Sequence, residues 1–254
     1  KHNMKVLSQD GYYFIEPGSG YLACGYVAKG RMEEPMQILS VINKFFTQQK
    51  NVVKSSFSGK RALVTAGPTV EVIDPVRYVS NRSSGKMGYA IAEALRDKGA
   101  IVTLISGPTH LSLPEGINVV KVESADDMFQ AVTERFAKQD IVIKAAAVSD
   151  YTPMDILEHK LKKQEGGLSV QFKRTKDILK YLGENKTHQY LVGFAAETQN
   201  IEQYALDKLK RKNADVIISN NVGDTSIGFS SDDNELTMHF KNNEKVNIKK
   251  GKKS

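Results

Sequence analysis

The sequence has few of the residues that mark several classes of protein. Its 254 residues include one cysteine, no tryptophan and seven prolines. A single cysteine, Cys24, cannot form an internal disulfide framework, which is typical of a protein from a reducing compartment. No apolar run of about 18 residues is present, so the sequence predicts no membrane-spanning helix. We therefore expect a cytoplasmic protein with no membrane partner.

Positive charge is unevenly distributed along the chain. The sequence holds 36 Lys and Arg against 29 Asp and Glu, a formal charge of +7. Residues 241–254 contain six lysines and one acid, Glu244, and so contribute +5, which leaves +2 for residues 1–240. A basic surface on the folded body would favour a nucleic acid or an anionic membrane as partner. Because the excess lies in the tail, we predict no nucleic-acid partner.

The first sixty residues differ in composition from the rest. Residues 1–7 have the pattern of a helix interior, so we expect the chain to start within a longer protein. Residues 36–49 carry apolar side chains at helical spacing and predict an amphipathic helix. Residues 51–60 are polar and contain three serines and Gly59, as a linker does. The predicted organisation is an N-terminal remnant at 1–50, a linker at 51–60 and a main domain at 61–254.

Short apolar runs alternate with helical patterns throughout the main domain. The runs are continuous rather than alternating, which favours parallel strands covered on both faces. Two tail segments around a polar turn instead predict an antiparallel hairpin. We therefore predict an α/β fold, a doubly wound, mostly parallel Rossmann-like sheet with a C-terminal β-hairpin appendage. The predicted strands are 62–66, 100–106, 117–122, 140–147, 190–196 and 214–220, the helices 88–99, 125–138 and 200–213, and the hairpin strands 234–240 and 244–249.

A loop of about twenty residues, 67–88, follows the first strand of this domain. Ligands bind at the carboxyl ends of such strands, and the loop ends in Ser83, Ser84 and Gly85 just before a helix. Backbone N–H groups there could bind a phosphate, or the serines could only cap the helix. The loop is not a P-loop, because Met87 replaces the magnesium-binding Ser or Thr.

Further candidate residues follow the later strands. The small residues at 145–147 would let a base or ribose lie against the backbone, and Asp150 could accept from a hydroxyl or close a turn. The lysines at 160, 162 and 163 are either a solvated charge run or part of a polyphosphate site. Phe194 could belong to the core or to the same rim. Lys208 and Lys212 lie four residues apart on one helix face and could reach a phosphate.

These motifs together resemble one enzyme family. The segments 63–88, 144–151, 160–163 and 192–198, with the Lys-x-x-x-Lys pair at 208–212, are similar to phosphopantothenate–cysteine ligase in its CTP-dependent bacterial form. That ligase is the C-terminal half of a bifunctional protein of coenzyme A biosynthesis, and the similarity runs from about Lys60 to Phe240. The resemblance implies that 4′-phosphopantothenate is activated as an acyl-cytidylate, to which cysteine is then joined with release of CMP.

The resemblance also implies roles for individual residues. Lys160 would act in acyl-cytidylate formation, Asn81 in the attack of cysteine, and Arg77 near the substrate carboxyl or phosphate. Thr175 and Lys176 depart from the Asn-Pro of the family at the same place. Magnesium is expected on the phosphates, with no protein ligand named. The phosphate contacts implied are Ser83, Ser84 and Gly85, and the CTP contacts Ala145, Ala146, Ala147, Asp150, Lys160, Thr175, Lys176, Asp177, Ile178, Phe194, Lys208 and Lys212.

Residues 20–35 are similar to the substrate clamp of the partner domain, the FMN-dependent phosphopantothenoylcysteine decarboxylase. Cys24 matches the proton donor of that enzyme, a role it could have only in the intact protein. The flavin site would lie upstream of Lys1, so no decarboxylase activity is expected of this chain. The family further implies a homodimer of ligase domains and a higher oligomer in the intact protein.

Two alternatives stay open. The glycine-bearing loop before the helix at 88–99 could instead serve a nicotinamide-dependent reductase, although the second strand ends in Ser106-Gly107 without the acid that would bind a ribose. The domain could also be a non-catalytic nucleotide-binding module.

Overall fold

The computed structural model describes residues 2–21, 25–50, 56–162, 167–197, 200–221 and 233–252. Cys24 and Lys163 lie outside the described residues. The chain divides into two compact units, residues 1–55 and 56–254. Within the described residues, no helix combines the length and the apolar character needed to cross a bilayer.

The described residues of the first unit form two helices and one hairpin. Its apolar side chains are largely exposed, with Met36 75% and Leu39 50% accessible. The helix predicted at 36–49 is present with nearly those bounds. The elements are α1 (His2–Gln9), β1 (Gly18–Tyr21), β2 (Val27–Arg31) and α2 (Pro35–Lys50).

The second unit contains the strands and helices of the predicted α/β domain. In chain order they are β3 (Arg61–Ala66), β4 (Val70–Val72), β5 (Tyr78–Ser80), α3 (Lys86–Asp97), β6 (Ile101–Ser106), β7 (Asn118–Lys121), α4 (Ala125–Phe136), β8 (Ile141–Lys144), β9 (Tyr151–Pro153), β10 (Phe172–Arg174), α5 (Ile178–Asn185), β11 (Tyr190–Glu197), α6 (Ile201–Arg211), β12 (Val216–Asn221), β13 (Asp233–Phe240) and β14 (Lys245–Lys252).

An eight-stranded sheet forms the centre of this unit, in the order β14-β13-β12-β11-β8-β3-β6-β7. The six strands from β12 to β7 are parallel, while β13 and β14 add an antiparallel hairpin at one edge. The chain runs outward from β3 through β6 to β7 and then returns to place β8 on the other side of β3. The predicted fold class, a doubly wound sheet with a C-terminal hairpin, is confirmed.

Apolar side chains cover both faces of the sheet. Ala62 and Val64 pack with Leu95 of α3 on one face. Leu63 packs on the other face with residues of α4, α5 and α6, among them Met128. Consecutive residues of β3 are therefore buried on opposite faces, which explains why the strand is a continuous apolar run.

The structure differs from the prediction in its loops and short elements. The loop 67–88 carries a small antiparallel hairpin, because β4 pairs with β5. A second ribbon pairs β9 with β10, and α5 was not predicted at all. The strand predicted at 140–147 ends at Lys144, since the N–H of Ala147 turns away to donate to the carbonyl of Gly67 at 2.9 Å.

Candidate functional site

A cleft of about 710 Å³ opens beyond the end of β8 and beside β11, where the start of α5 and one side of α6 also reach it. This volume lies within the ordinary range of small-molecule sites. The described residues that line the cleft are Lys144, Ala146, Val148, Ser149, Asp150, Tyr151, Arg174, Thr175, Lys176, Asp177, Ile178, Leu179, Lys180, Phe194, Tyr204, Lys208, Arg211 and Lys212.

Many of the residues singled out from the sequence meet in this cleft, although they come from four separate segments. Those that line it are Ala146, Asp150, Thr175, Lys176, Asp177, Ile178, Phe194, Lys208 and Lys212. Those not among its lining residues are Arg77, Asn81, Ser83, Ser84, Gly85, Ala145, Ala147 and Lys160. The structure thus brings most of the nucleotide candidates together, and leaves the candidates for chemistry and for phosphate binding outside the cleft wall.

Asp177 links the two helices that border the cleft. Its side chain caps α5 by accepting from the N–H of Lys180 at 2.9 Å, and it also accepts a hydrogen bond from Lys212. Burial opposes ionisation of Asp177, but the bonds from Lys212 and Lys180 outweigh it and hold the pKa of this carboxyl below its usual value. Asp177 is therefore a fixed negative charge that orients Lys212.

Three further polar side chains of the cleft wall, those of Lys208, Thr175 and Lys176, also have protein partners. Lys208 donates to the carbonyl of Phe194 at 2.8 Å. Thr175 donates through its hydroxyl to the carbonyl of Ser149 at 2.7 Å, and its N–H donates to the carbonyl of Asp150 at 3.0 Å. Lys176 pairs with Asp126 at 2.8 Å, outside the wall of the cleft. The side chains at the two positions that depart from the family are thus engaged within the protein.

A second cluster joins the loop after β3 to the segment that carries Lys160. Asp74 is 1% exposed and pairs with Arg77, whose Nη1 lies 2.6 Å from its Oδ2. The same oxygen accepts from the N–H of Leu161 at 3.1 Å, and the same Nη1 donates to the Leu161 carbonyl at 3.2 Å. Nearby, Asn81 donates from Nδ2 to the carbonyl of Ala147 at 3.2 Å.

Burial and hydrogen bonding have opposite effects on Asp74. Burial opposes its ionisation, but the N–H groups of Val76, Leu161 and Arg77 and the Arg77 guanidinium together lower its pKa to about 2. Asp74 is consequently a carboxylate at every pH at which the protein would be assayed.

The start of α3, the predicted phosphate site, has an unusual cap. Gly85 occupies the N-cap position with φ of 78°, and no side chain caps the helix there. The N–H of Gly85 donates weakly to the Ser83 hydroxyl at 3.4 Å, and that of Lys86 to the Ser84 hydroxyl at 3.5 Å. A Cβ at position 85 would lie 2.7 Å from the Thr109 methyl, so both the conformation and the space require glycine.

Residues 57–254 match the family described as the DNA/pantothenate metabolism flavoprotein C-terminal domain. The chain belongs to this family. The match confirms the resemblance that the sequence motifs indicate, because it covers all of the segments from 63 to 212 on which that resemblance rests.

Relatives of this family domain are similar to the chain over most of its length. The coenzyme A biosynthesis bifunctional protein CoaBC of Bacillus subtilis is 53% identical over 246 residues, which cover 96% of this chain and 60% of the relative. The chain thus spans about 60% of the length of that curated relative. The crystal structure of the C-terminal domain of a CoaBC protein superposes with a TM-score of 0.66 at 47% identity, covering 77% of this chain and 88% of that one.

A more distant structure shares the fold of the family domain. It is a Cab2 mutant in complex with phosphopantothenate-cysteine, with a TM-score of 0.64 and 18% identity over 85% of this chain and 89% of that chain. At this identity the likeness concerns the fold alone.

Lys144 is one of nine residues lining the family domain's cleft that sequence reasoning did not single out. Lys144 is 8% exposed, and its amine donates to the Met128 sulfur at 3.8 Å. Burial lowers the pKa of Lys144 to about 7, and the negative charge of Asp177 offsets only part of this effect. The signal in the sequence was a lysine inside the otherwise apolar run of 141–147.

Proposed function

We propose that the family domain is a ligase that joins cysteine to 4′-phosphopantothenate with CTP, as the sequence resemblance implies. The observation that carries the proposal is the cationic cleft, which gathers nine of the residues expected to contact the nucleotide. The names of the relatives support it, since CoaBC proteins act in coenzyme A biosynthesis and the Cab2 structure holds phosphopantothenate-cysteine.

The charge of the cleft suits a triphosphate. Its lining includes seven Lys and Arg side chains but only two aspartates, Asp150 and Asp177. A polyphosphate needs such an excess, because its charge must be neutralised before another anion, the substrate carboxylate, can approach. A neutral ligand would gain nothing from this excess of positive charge.

The reaction would proceed in two displacements. In the first, a carboxylate oxygen of 4′-phosphopantothenate attacks the α-phosphorus of CTP, and pyrophosphate leaves with the bonding electrons. Lys160 would stabilise the charge that develops on the phosphoryl oxygens. In the second, the cysteine amine attacks the acyl carbon, loses a proton, and CMP leaves. Asn81 would donate its amide N–H to the oxyanion formed at that carbon.

Magnesium would come with the nucleotide. The described residues contain no group of three or more His, Cys, Asp or Glu side chains able to hold an ion. The residues of the cleft fit a metal that is bound through substrate phosphates and water, which is the usual arrangement for magnesium. Asp150 is one of two exposed carboxylates that line the cleft and could contact such an ion through water.

The test is pyrophosphate release with 4′-phosphopantothenate, Mg²⁺ and either CTP or ATP, in the presence and absence of cysteine. We expect release with CTP, loss of release in Lys160→Gln, and accumulation of acyl-cytidylate in Asn81→Asp. Lys138→Gln, an exposed lysine at the end of α4, is the control and should match the wild type.

Each unexpected outcome has a distinct meaning. Absence of pyrophosphate with both nucleotides would reject the ligase, and preference for ATP would reject only its CTP dependence. Stalling of both variants at the same step would show that the assigned division of roles is wrong. Thermal stabilisation by NADPH but not by CTP would favour a reductase. Binding of CTP without turnover would favour a non-catalytic module.

A further inference from the structure

The clamp formed by Asp74 and Arg77 holds the backbone on which Lys160 is carried. We propose that Asp74 is a positioning residue for Lys160, and that it acts by holding the backbone of the neighbouring Leu161. The inference rests on the proposed function only in assigning Lys160 a chemical role. The clamp itself follows from contacts within the protein.

Two atoms of the clamp engage both backbone groups of Leu161. Asp74 Oδ2 accepts from its N–H at 3.1 Å, and Arg77 Nη1 donates to its carbonyl at 3.2 Å. A third bond, from the N–H of Leu157 to the carbonyl of Ile73 at 3.0 Å, attaches the same segment four residues earlier. Lys160 lies between these attachment points, so the path of its backbone is fixed by the loop after β3.

The side chain of Lys160 depends on this backbone for its position. It is exposed, and among the described residues no hydrogen bond or ion pair is found for its amine. A lysine with a flexible four-carbon stem reaches a phosphate only from a limited range of backbone positions. Displacing Leu161 would therefore displace the amine as well, without altering the nucleotide cleft.

The geometry of Asp74 allows a substitution that breaks one side of the clamp. Its Oδ1 accepts from the N–H groups of Val76 and Arg77, both at 2.8 Å, and closes the turn at 74–77. In Asp74→Asn the amide oxygen would keep these two bonds. The amide NH₂ would then face the N–H of Leu161 and the Arg77 guanidinium, which are both donors. The turn is retained while the bond to the N–H of Leu161 is lost.

The first measurement is trypsin cleavage after Lys160, followed by mass spectrometry. The scissile bond ends at the Leu161 nitrogen, which the clamp holds by a hydrogen bond. We expect Asp74→Asn to be cleaved there about tenfold faster than the wild type, because local opening exposes the bond. Asp155→Asn is the matched control, the same substitution in an exposed acid of the same segment, and should cleave at the wild-type rate.

The second measurement separates positioning from general damage. In single-turnover assays we expect Asp74→Asn to slow pyrophosphate release by about 10- to 100-fold, the range for a small misplacement of a reacting group. The Kd for CTP should stay within about twofold, since neither Asp74 nor the Lys160 that it positions is among the residues that line the cleft. A merely structural role would instead weaken CTP binding together with the rate. Arg77→Lys keeps a cation beside Asp74. It should also speed trypsin cleavage after Lys160 and slow pyrophosphate release, but by less than Asp74→Asn.

The outcomes keep the two proposals distinct. Wild-type cleavage and wild-type release in both Asp74→Asn and Arg77→Lys would overturn the positioning role. If the wild type itself releases no pyrophosphate, the proposed function fails, while the trypsin comparison still decides whether Asp74 holds Leu161. If Asp74→Asn does not fold, Arg77→Lys alone provides both measurements.

Discussion

Lys144 is a buried lysine whose position has an energetic consequence. A lysine amine buried against Met128 has lost most of its hydration without gaining a close ionic partner. Its pKa of about 7 is well below the 10.5 of an unfolded chain. Between these two values the unfolded chain binds the extra proton and the folded protein does not, so stability rises with pH through this window. Below about pH 7 the folded protein must either bury the charge or open to hydrate it.

We predict that Lys144→Met stabilises the protein at pH 6 and removes this dependence on pH. Methionine fills a similar volume without the charge, and each pKa unit corresponds to about 1.4 kcal/mol, so a gain of a few kcal/mol is expected. Urea unfolding at intervals from pH 6 to pH 10 measures the free energy of unfolding of both proteins. Lys121→Met, an exposed lysine of β7, is the control. A wild-type stability that stays flat between pH 7 and 10 would contradict the prediction.

Among the elements, α5 depends on one glycine for its position. A Cβ on Gly183 would lie 1.8 Å from the carbonyl oxygen of Lys212, and Asn213 donates to the Gly183 carbonyl at 2.8 Å. The middle of α5 therefore contacts the end of α6 backbone to backbone. This contact brings Asp177 of α5 within bonding distance of Lys212.

We predict that Gly183→Ala moves α5 away from α6 and breaks the bond between Asp177 and Lys212. Overpacking of this kind costs about 1–3 kcal/mol. Differential scanning calorimetry should show a lower Tm, and the affinity for CTP should fall with it. Gly167→Ala is the matched control, because a Cβ there has no neighbour within 4 Å. Equal melting temperatures for the two variants would show that the contact can relax.

The periodicity of the sequence predicted the elements with strong patterns and missed those without one. Each of β4, β5, β9 and β10 has three residues, too few to show an alternation. The predicted strand 140–147 was too long for a different reason. After Lys144 the side chains remain apolar, but the backbone no longer makes the hydrogen bonds of a strand. The Ala146 N–H, for example, donates to the side chain of Thr65, at 3.1 Å from its Oγ1. The hydropathy of the sequence does not show that the hydrogen-bond partners of the backbone have changed.

The candidate site was predictable in part, through the resemblance more than through periodicity. Motif matching gathered Asp150, Phe194, Lys208 and Lys212, which the structure brings to one cleft. It could not find Asp74 as the partner of Leu161, because the two residues are 87 positions apart in the chain. Contacts at such separation depend on the tertiary fold and leave no local pattern.

At the scale of the whole molecule, the buried apolar core belongs to the second unit. Among the described residues, every buried hydrophobic side chain lies between Ala62 and Ile217. Residues 2–50 instead expose apolar side chains such as Tyr13, at 74%, and Val27, at 70%. The stability of the described core therefore comes from residues 56–254.

We predict that residues 56–254, produced alone, fold and unfold in one cooperative transition. Their Tm should lie within about 3 °C of the main transition of the full chain, because no core residue is removed. Circular dichroism at 222 nm follows both samples. A loss of the transition, or a large fall in its midpoint, would show that the first unit contributes to the stability of the domain.

The order of the strands also has a consequence for synthesis on the ribosome. Strands β3, β6 and β7 with helices α3 and α4 emerge first and can pair with one another. The other edge of β3 stays unpaired until β8 is synthesised. Strand β8 then pairs with β3 and later with β11. Until β8 arrives, the nascent chain presents an unpaired apolar edge, the kind of surface that chaperones and aggregation both recognise. The edge of β3 that pairs with β8 in the folded domain is therefore open to other partners while the domain is being synthesised.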